Sequence, residues 1–241
     1  MAHETTIAVY DHGRPATASE FADRIYRLLG RASVVEPRWE TWSYSSQNGR
    51  QEPIRSLDDA NTAVRDASGE WQVGAAGSKP RVAYTPSLFV GREAAPVVRV
   101  DCRAGMERTA VPAWTPNLVE ITVRGALELA TVAVLMRTLV EIFEPDWGHV
   151  RLDGSPTPPR AIFSDGAPVI GWVTYLSAAY PKLPALPPPA RAYPVQRGTV
   201  LTASEKAEDS AAAIAPLRRA LAGAGVLLPA VAMRTSVLTP A

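Results

Sequence analysis

The sequence predicts an α+β fold, a mainly antiparallel sheet packed with helices. Three observations carry this. Short runs alternating apolar and polar residues, such as Asn117 to Arg124, follow one another with brief turns between them. Helical patterns are mixed among these runs, the longest over residues 126–143. No repeat of fixed period and no long linker divides the chain. Consecutive strands joined by short turns pair antiparallel, because a parallel neighbour needs a crossover of about a dozen residues or more. The 241 residues are therefore read as one domain, 1–241, with the segment 226–241 unplaced.

The elements follow in order. Thr5 to Tyr10 reads as a strand. Thr17-Ala-Ser-Glu20 matches a capping box, in which a hydroxyl and a carboxylate satisfy the free donors of a helix start. Phe21, Ile25, Leu28 and Leu29 follow at helical spacing, and Gly30 reads as the stop. A short helix is expected over residues 56–67, with Asp58 and Asp59 in its first turn. Strands are expected at Arg81 to Val90, Pro96 to Arg103 and Asn117 to Arg124. The helix over 126–143 is apolar nearly all round, the pattern of a buried helix, and Pro145 bars Glu144 from helical geometry. Trp147 to Leu152 and Val169 to Leu176 read as strands. The proline-rich PKLPALPPPARAYP reads as an extended loop, and Val195 with Val200 to Thr202 as a last hairpin. A final helix over 204–224 contains Pro216, which should kink or split it.

Composition narrows the functional classes. The 25 basic and 24 acidic residues nearly cancel, so the chain as a whole does not advertise a nucleic-acid partner or an anionic membrane. The apolar stretch 126–143 is interrupted by Glu128, Arg137 and Glu141, which argues against a bilayer span. The N-terminus shows no basic stretch followed by an apolar run, so a cytoplasmic location is expected. A single cysteine, Cys102, shares a strand face with Val98 and Val100 and reads as a core residue.

Catalytic signatures are largely missing. Of the histidines His3, His12 and His149, none forms an H-x-x-x-H pair, and no metal or cofactor is expected. There is no G-x-S-x-G elbow, no P-loop and no G-x-G-x-x-G, and a small-molecule ligand is not expected either. Pro145-Asp146 resembles the start of a restriction-type nuclease motif, but the strand HVRLDG that follows lacks the acid-x-Lys ligands. Glu141, Glu144 and Asp146 form an acidic group at a helix end, where carboxylates oppose the helix dipole. Asp58 with Asp59, and Glu205 with Glu208 and Asp209, form two more.

The second half carries a chain of features in a fixed order: EIFEPDWGHV, PVIGWVTYLSAAY, LPALPPPARAYPV, GTVLTASE and LRRALAGAG. Together with IAVYDHG, FADRIYRLL and PRWETWSY they resemble the immunity protein 52 family of bacterial polymorphic-toxin systems. The most specific positions are Pro145, Trp147, Gly148, Gly171, Trp172 and Tyr175, none of them a catalytic signature, and they are read as structural. The resemblance implies an α+β, non-enzymatic protein. It would bind a cognate toxin in the producing cell, an effector of restriction-endonuclease fold delivered by type VI secretion.

For such a partner, the candidate contacts are Trp39, Trp42 and Tyr44, aromatics on a polar background, and the acidic group Glu141, Glu144 and Asp146. Core placement of the aromatics is the competing reading. Two other functions stay open: a hydrolase using Asp146 and His149, and an adaptor of a secretion apparatus.

Overall fold

A computed structural model describes residues 4–11, 16–71, 81–105, 117–152 and 167–228. Its elements are β1 (Glu4–Asp11), α1 (Ala18–Val35), β2 (Trp42–Ser45), β3 (Gln51–Pro53), α2 (Leu57–Asp66), β4 (Ser68–Trp71), β5 (Arg81–Tyr84), β6 (Ser87–Arg92) and β7 (Ala95–Arg103). They continue with β8 (Asn117–Arg124), α3 (Leu129–Phe143), β9 (Trp147–Leu152), β10 (Val173–Ser177), β11 (Arg191–Val195), β12 (Gly198–Thr202) and α4 (Ser210–Gly223). A 3-10 turn at Pro37–Trp39 follows α1. The fold is α+β, as the sequence predicts.

Ten strands form one antiparallel sheet in the order β11-β12-β10-β9-β1-β8-β7-β6-β2-β3, and β4 pairs with β5 apart from it. The N-terminal β1 sits in the middle, paired with β8 from Tyr10↔Leu118 to Glu4↔Arg124 and with β9 from Tyr10↔Trp147 to Thr5↔Leu152. Because side chains alternate along a strand, this register sorts residues onto two faces. Ile7 and Val9 join the core that also holds Phe21, Ile25 and Leu28 of α1 and Leu135, Met136 and Leu139 of α3. Ala8 and Tyr10 join the opposite core with Trp147, Leu176, Leu201 and Leu217 and Leu221 of α4.

Helix α1 begins with both halves of its capping box in place, Thr17 accepting from the Glu20 N–H and Glu20 accepting from the Thr17 N–H. Burying Phe21, Ile25, Leu28 and Leu29 against the sheet and α3 contributes roughly 1.5–3 kcal/mol each. The helix does not stop at Gly30. It runs to Val35, since Gly30 lies exposed with open space around it and costs only about 1 kcal/mol relative to alanine. Pro37 ends it, because the residue before a proline is pushed out of helical geometry and Glu36 is extended. Helix α2 repeats the device with Ser56 and Asp59.

Three further expectations shift. The run Arg81 to Val90 is two strands, broken at Thr85-Pro86, where proline offers no ladder donor. The central helix begins at Leu129, three residues after 126, because Gly125 adopts φ 122° and turns the chain first. Helix α4 begins at Ser210 and runs through Pro216 as one helix. The last hairpin is β11–β12, and the proline-rich stretch leads into it. The tail beyond Leu228 lies outside the described residues.

Candidate functional site

The acidic residues at the end of α3 meet cations from two other elements. Helix α3 ends at Phe143, and Glu144 takes a left-handed conformation, φ 50° and ψ 49°, with its N–H donating to the Val140 carbonyl. Pro145 excludes the ordinary helical continuation, and Asp146 then enters the sheet with its N–H donating 2.8 Å to the Tyr10 carbonyl. Glu141 is ion-paired with Arg31 of α1. Glu144 Oε1 lies 2.6 Å from Nη2 of Arg197, in the β11–β12 turn. These half-exposed pairs are worth about 0–1 kcal/mol each, but they offset the carboxylates' misfit with the helix dipole. Asp146 is 1% exposed, so it adds nothing to an acidic surface.

One member of each of the other two acidic groups is similarly engaged. Asp59 accepts from the Arg55 and Ser56 backbone N–H groups, which hold its carboxyl below the usual carboxylate range. Glu205 pairs with Arg191 at 2.9 Å.

The aromatic candidates are core residues. Trp39, Trp42 and Tyr44 are 2%, 3% and 7% exposed, which corrects their reading as surface anchors. Along β2, Trp42 and Tyr44 are buried in the core while Ser43 and Ser45 alternate to partly exposed positions. Trp42 Nε1 donates 3.2 Å to Ser33 Oγ, which lies 2.7 Å from the Trp39 carbonyl oxygen, so the indole is both buried and satisfied.

Trp42 instead floors a groove of about 570 Å³ between α1 and the chain around β2 and β3. Its walls include Tyr26, Arg27, Arg31, Val34, Glu40, Ile54 and Arg55. Tyr26 and Val34 stand exposed at 38% and 83%. Arg31 links this groove to Glu141 and so to the end of α3. The sequence reading missed the groove, because Arg27, Val34 and Arg55 belong to ordinary solvent-facing stretches until the fold brings them together.

The residues of the resemblance lie where β9 and β10 meet. Trp147, Trp172 and Tyr175 are at most 2% exposed. Trp172 Nε1 donates 3.1 Å to the Ser204 carbonyl, and the Tyr175 hydroxyl donates 2.8 Å to the Arg197 carbonyl. A Cβ on Gly171 would stand 2.2 Å from the Val150 carbonyl oxygen, and one on Gly148 2.9 Å from that of Ala8. Both glycines let neighbouring chain approach where any side chain would collide.

His149 is fully buried in a stack with Tyr10 and Trp147, ring centroids 5.7 and 5.8 Å away, and neither ring nitrogen has a partner. Burial, helped by Arg151, lowers its pKa to about 3. A neutral ring sealed in this way has no route to a substrate, which removes the base from the hydrolase reading. Cys102 is buried beside Val98 and Val100, and burial pushes its thiol up. Among the described residues no group of three or more His, Cys, Asp or Glu could hold a metal, and no helix is long and apolar enough to cross a membrane. His3, His12 and Trp114 lie outside the described residues.

The class defined by these features is an α+β protein that carries, among the described residues, a shallow, charged groove on a helix face. The chain belongs to the immunity protein 52 family, whose model matches residues 6–229. Among solved structures it is similar to a Pseudomonas aeruginosa T6SS protein, PA0821, at 14% identity and a TM-score of 0.47, over 92% of this chain and 76% of that one. No curated protein matches.

Proposed function

We propose that the protein binds and neutralises a cognate toxin in the cytoplasm of the cell that makes both, acting as one domain and without chemistry of its own. The toxin would be a nuclease of restriction-endonuclease fold, delivered between cells by type VI secretion. The observation that carries this reading is the family match over nearly the whole chain, since an immunity protein's task is to bind a toxin. The burial of His149 and Cys102 and the shallow openings on the surface support a role in contact. A nuclease inhibitor has to act where nucleic acid is exposed to attack, which favours the cytoplasm.

Co-expression tests the proposal. The protein encoded beside this gene is induced with and without the immunity chain, and growth and chromosome integrity are followed. Rescue of both is expected. Unrelieved growth arrest refutes immunity, and rescue from arrest with no nucleic-acid damage in the unprotected cells refutes the nuclease assignment.

A further inference from the structure

The ten-stranded sheet ends in β3 on one side and β11 on the other. We propose that Pro53 and Pro194 close both ends to strand addition, so that a second copy of the chain cannot extend the sheet from either edge.

In an antiparallel ladder, the residues of an end strand turn their N–H and C=O groups alternately inward to the neighbour and outward to solvent. The Ile54 N–H donates 2.8 Å to the Trp42 carbonyl, and the Ser46 N–H 2.9 Å to that of Arg50. Arg50, Glu52 and Ile54 therefore face inward, and Gln51 and Pro53 face outward. In β11 a two-residue turn joins Val195 to Gly198, which makes these two an inward, doubly bonded pair. Tyr193 with Val200 and Arg191 with Thr202 follow in the same phase, so Ala192 and Pro194 face outward. Each end strand thus carries its proline on the solvent side of the ladder, where it costs no internal bond.

The proline does more than drop a donor. Its ring carbon takes the place of the amide hydrogen, where the carbonyl of an incoming strand would have to sit. The amides further along are engaged as well. Beside β3 the Gly49 N–H donates 2.8 Å to the Ser46 carbonyl and the Arg55 N–H 2.8 Å to Asp59 Oδ2. Beside β11 the Ala190 N–H donates 2.9 Å to the Pro187 carbonyl. Among the described residues one outward N–H is left at each end, that of Gln51 and that of Ala192. A lone donor beside a proline ring cannot start the alternating ladder that a new strand needs. The hazard is greater at β11, whose residues Arg191 to Pro194 are all exposed, Tyr193 at 45%. An exposed strand at the end of a wide sheet is a template for another chain unless its edge is blunted.

The full chain is compared with Pro53→Thr, Pro194→Thr and the double variant, threonine supplying both an amide and a strand-forming side chain. Pro181→Thr, in the stretch before β11, is the control. Sedimentation is followed across a concentration series, and hydrogen exchange is read amide by amide. Wild type and control are expected to sediment as single copies. Each edge variant is expected to self-associate at least about tenfold more tightly, because a symmetric pairing gains the restored donor twice. In dilute wild type Gln51 and Ala192 should exchange unprotected beside protected Glu52 and Tyr193, and Ala192 should gain protection in associated Pro194→Thr. Edge variants that stay as monomeric as the control overturn the proposal, and so does wild type that self-associates with protection of Gln51 or Ala192. Protection of those two amides in dilute wild type places them inside a ladder and overturns it without any variant.

Discussion

Replacing His149 by phenylalanine is expected to remove a specific acid sensitivity from the fold. The ring is sealed between strands, with Ala8 and Thr174 as its cross-strand neighbours on the same face. The Thr174 hydroxyl already accepts the Gly171 N–H, and Arg151 adds a like charge nearby. The folded protein therefore keeps the ring neutral, with a pKa of about 3. In the unfolded chain the ring titrates near 6.5. The unfolded state then binds a proton that the folded state refuses. The sign follows: this group's contribution is undiminished above the unfolded pKa and declines as pH falls from about 6.5 towards 3. The decline is about 1.4 kcal/mol per pH unit, so at pH 5 the wild type should have lost about 2 kcal/mol from this residue alone. That is a large share of a total stability of about 5–15 kcal/mol. Phenylalanine keeps an aromatic ring in the stack and has nothing to protonate. The assay is urea unfolding of both proteins at pH 7, 6 and 5. Other groups cancel in the difference, including Glu120, whose raised pKa acts in the opposite direction. The stability gap should move by about 2 kcal/mol in favour of His149→Phe between pH 7 and pH 5. A gap that does not change with pH would refute the picture of a neutral, unpartnered ring.

Two substitutions test the packing. Trp42→Ala should cost about 3–5 kcal/mol, since it empties a buried indole site and removes a donor to Ser33, and a thermal melt should fall by roughly 6–20 °C. An unchanged melting temperature would return the indole to the surface. Gly171→Ala should destabilise by more than about 3 kcal/mol or prevent soluble expression, because its Cβ would stand 2.2 Å from the Val150 carbonyl oxygen; wild-type stability would show that β9 and β10 are free to separate.

Much of the local structure was legible in the residues. The capping box read at Thr17 with Glu20 formed as spelled, because a cap involves groups only three residues apart, and the helix expected over 56–67 turned out to carry a second at Ser56 with Asp59. The alternation of β8 was read residue by residue, and Asn117–Arg124 carries its buried positions on one side. Local rules misjudged ends where packing outweighed them. Glycine often stops helices, yet α1 runs through an exposed Gly30 and carries Ala32 into the core beyond it. The site was the least legible part. Trp39, Trp42 and Tyr44 stand among polar neighbours in sequence, and nothing local says that distant elements will bury them in the core. Glu141 and Glu144 looked like a free acidic group, because Arg31 and Arg197 lie more than fifty residues away on either side.

The amino-acid order alone was enough for the α+β class, for most helices and strands, and for the likeness to immunity protein 52. Those properties rest on periodicity, caps and turns, which act over a few residues. It took the folded chain to insert β1 between β8 and β9, to bury the tryptophans and to gather Arg27, Arg31 and Arg55 around one groove. Strand order and burial depend on which distant segments share a core, and many arrangements of the same elements satisfy the local rules equally well. Only the packing of all of them together selects among those arrangements.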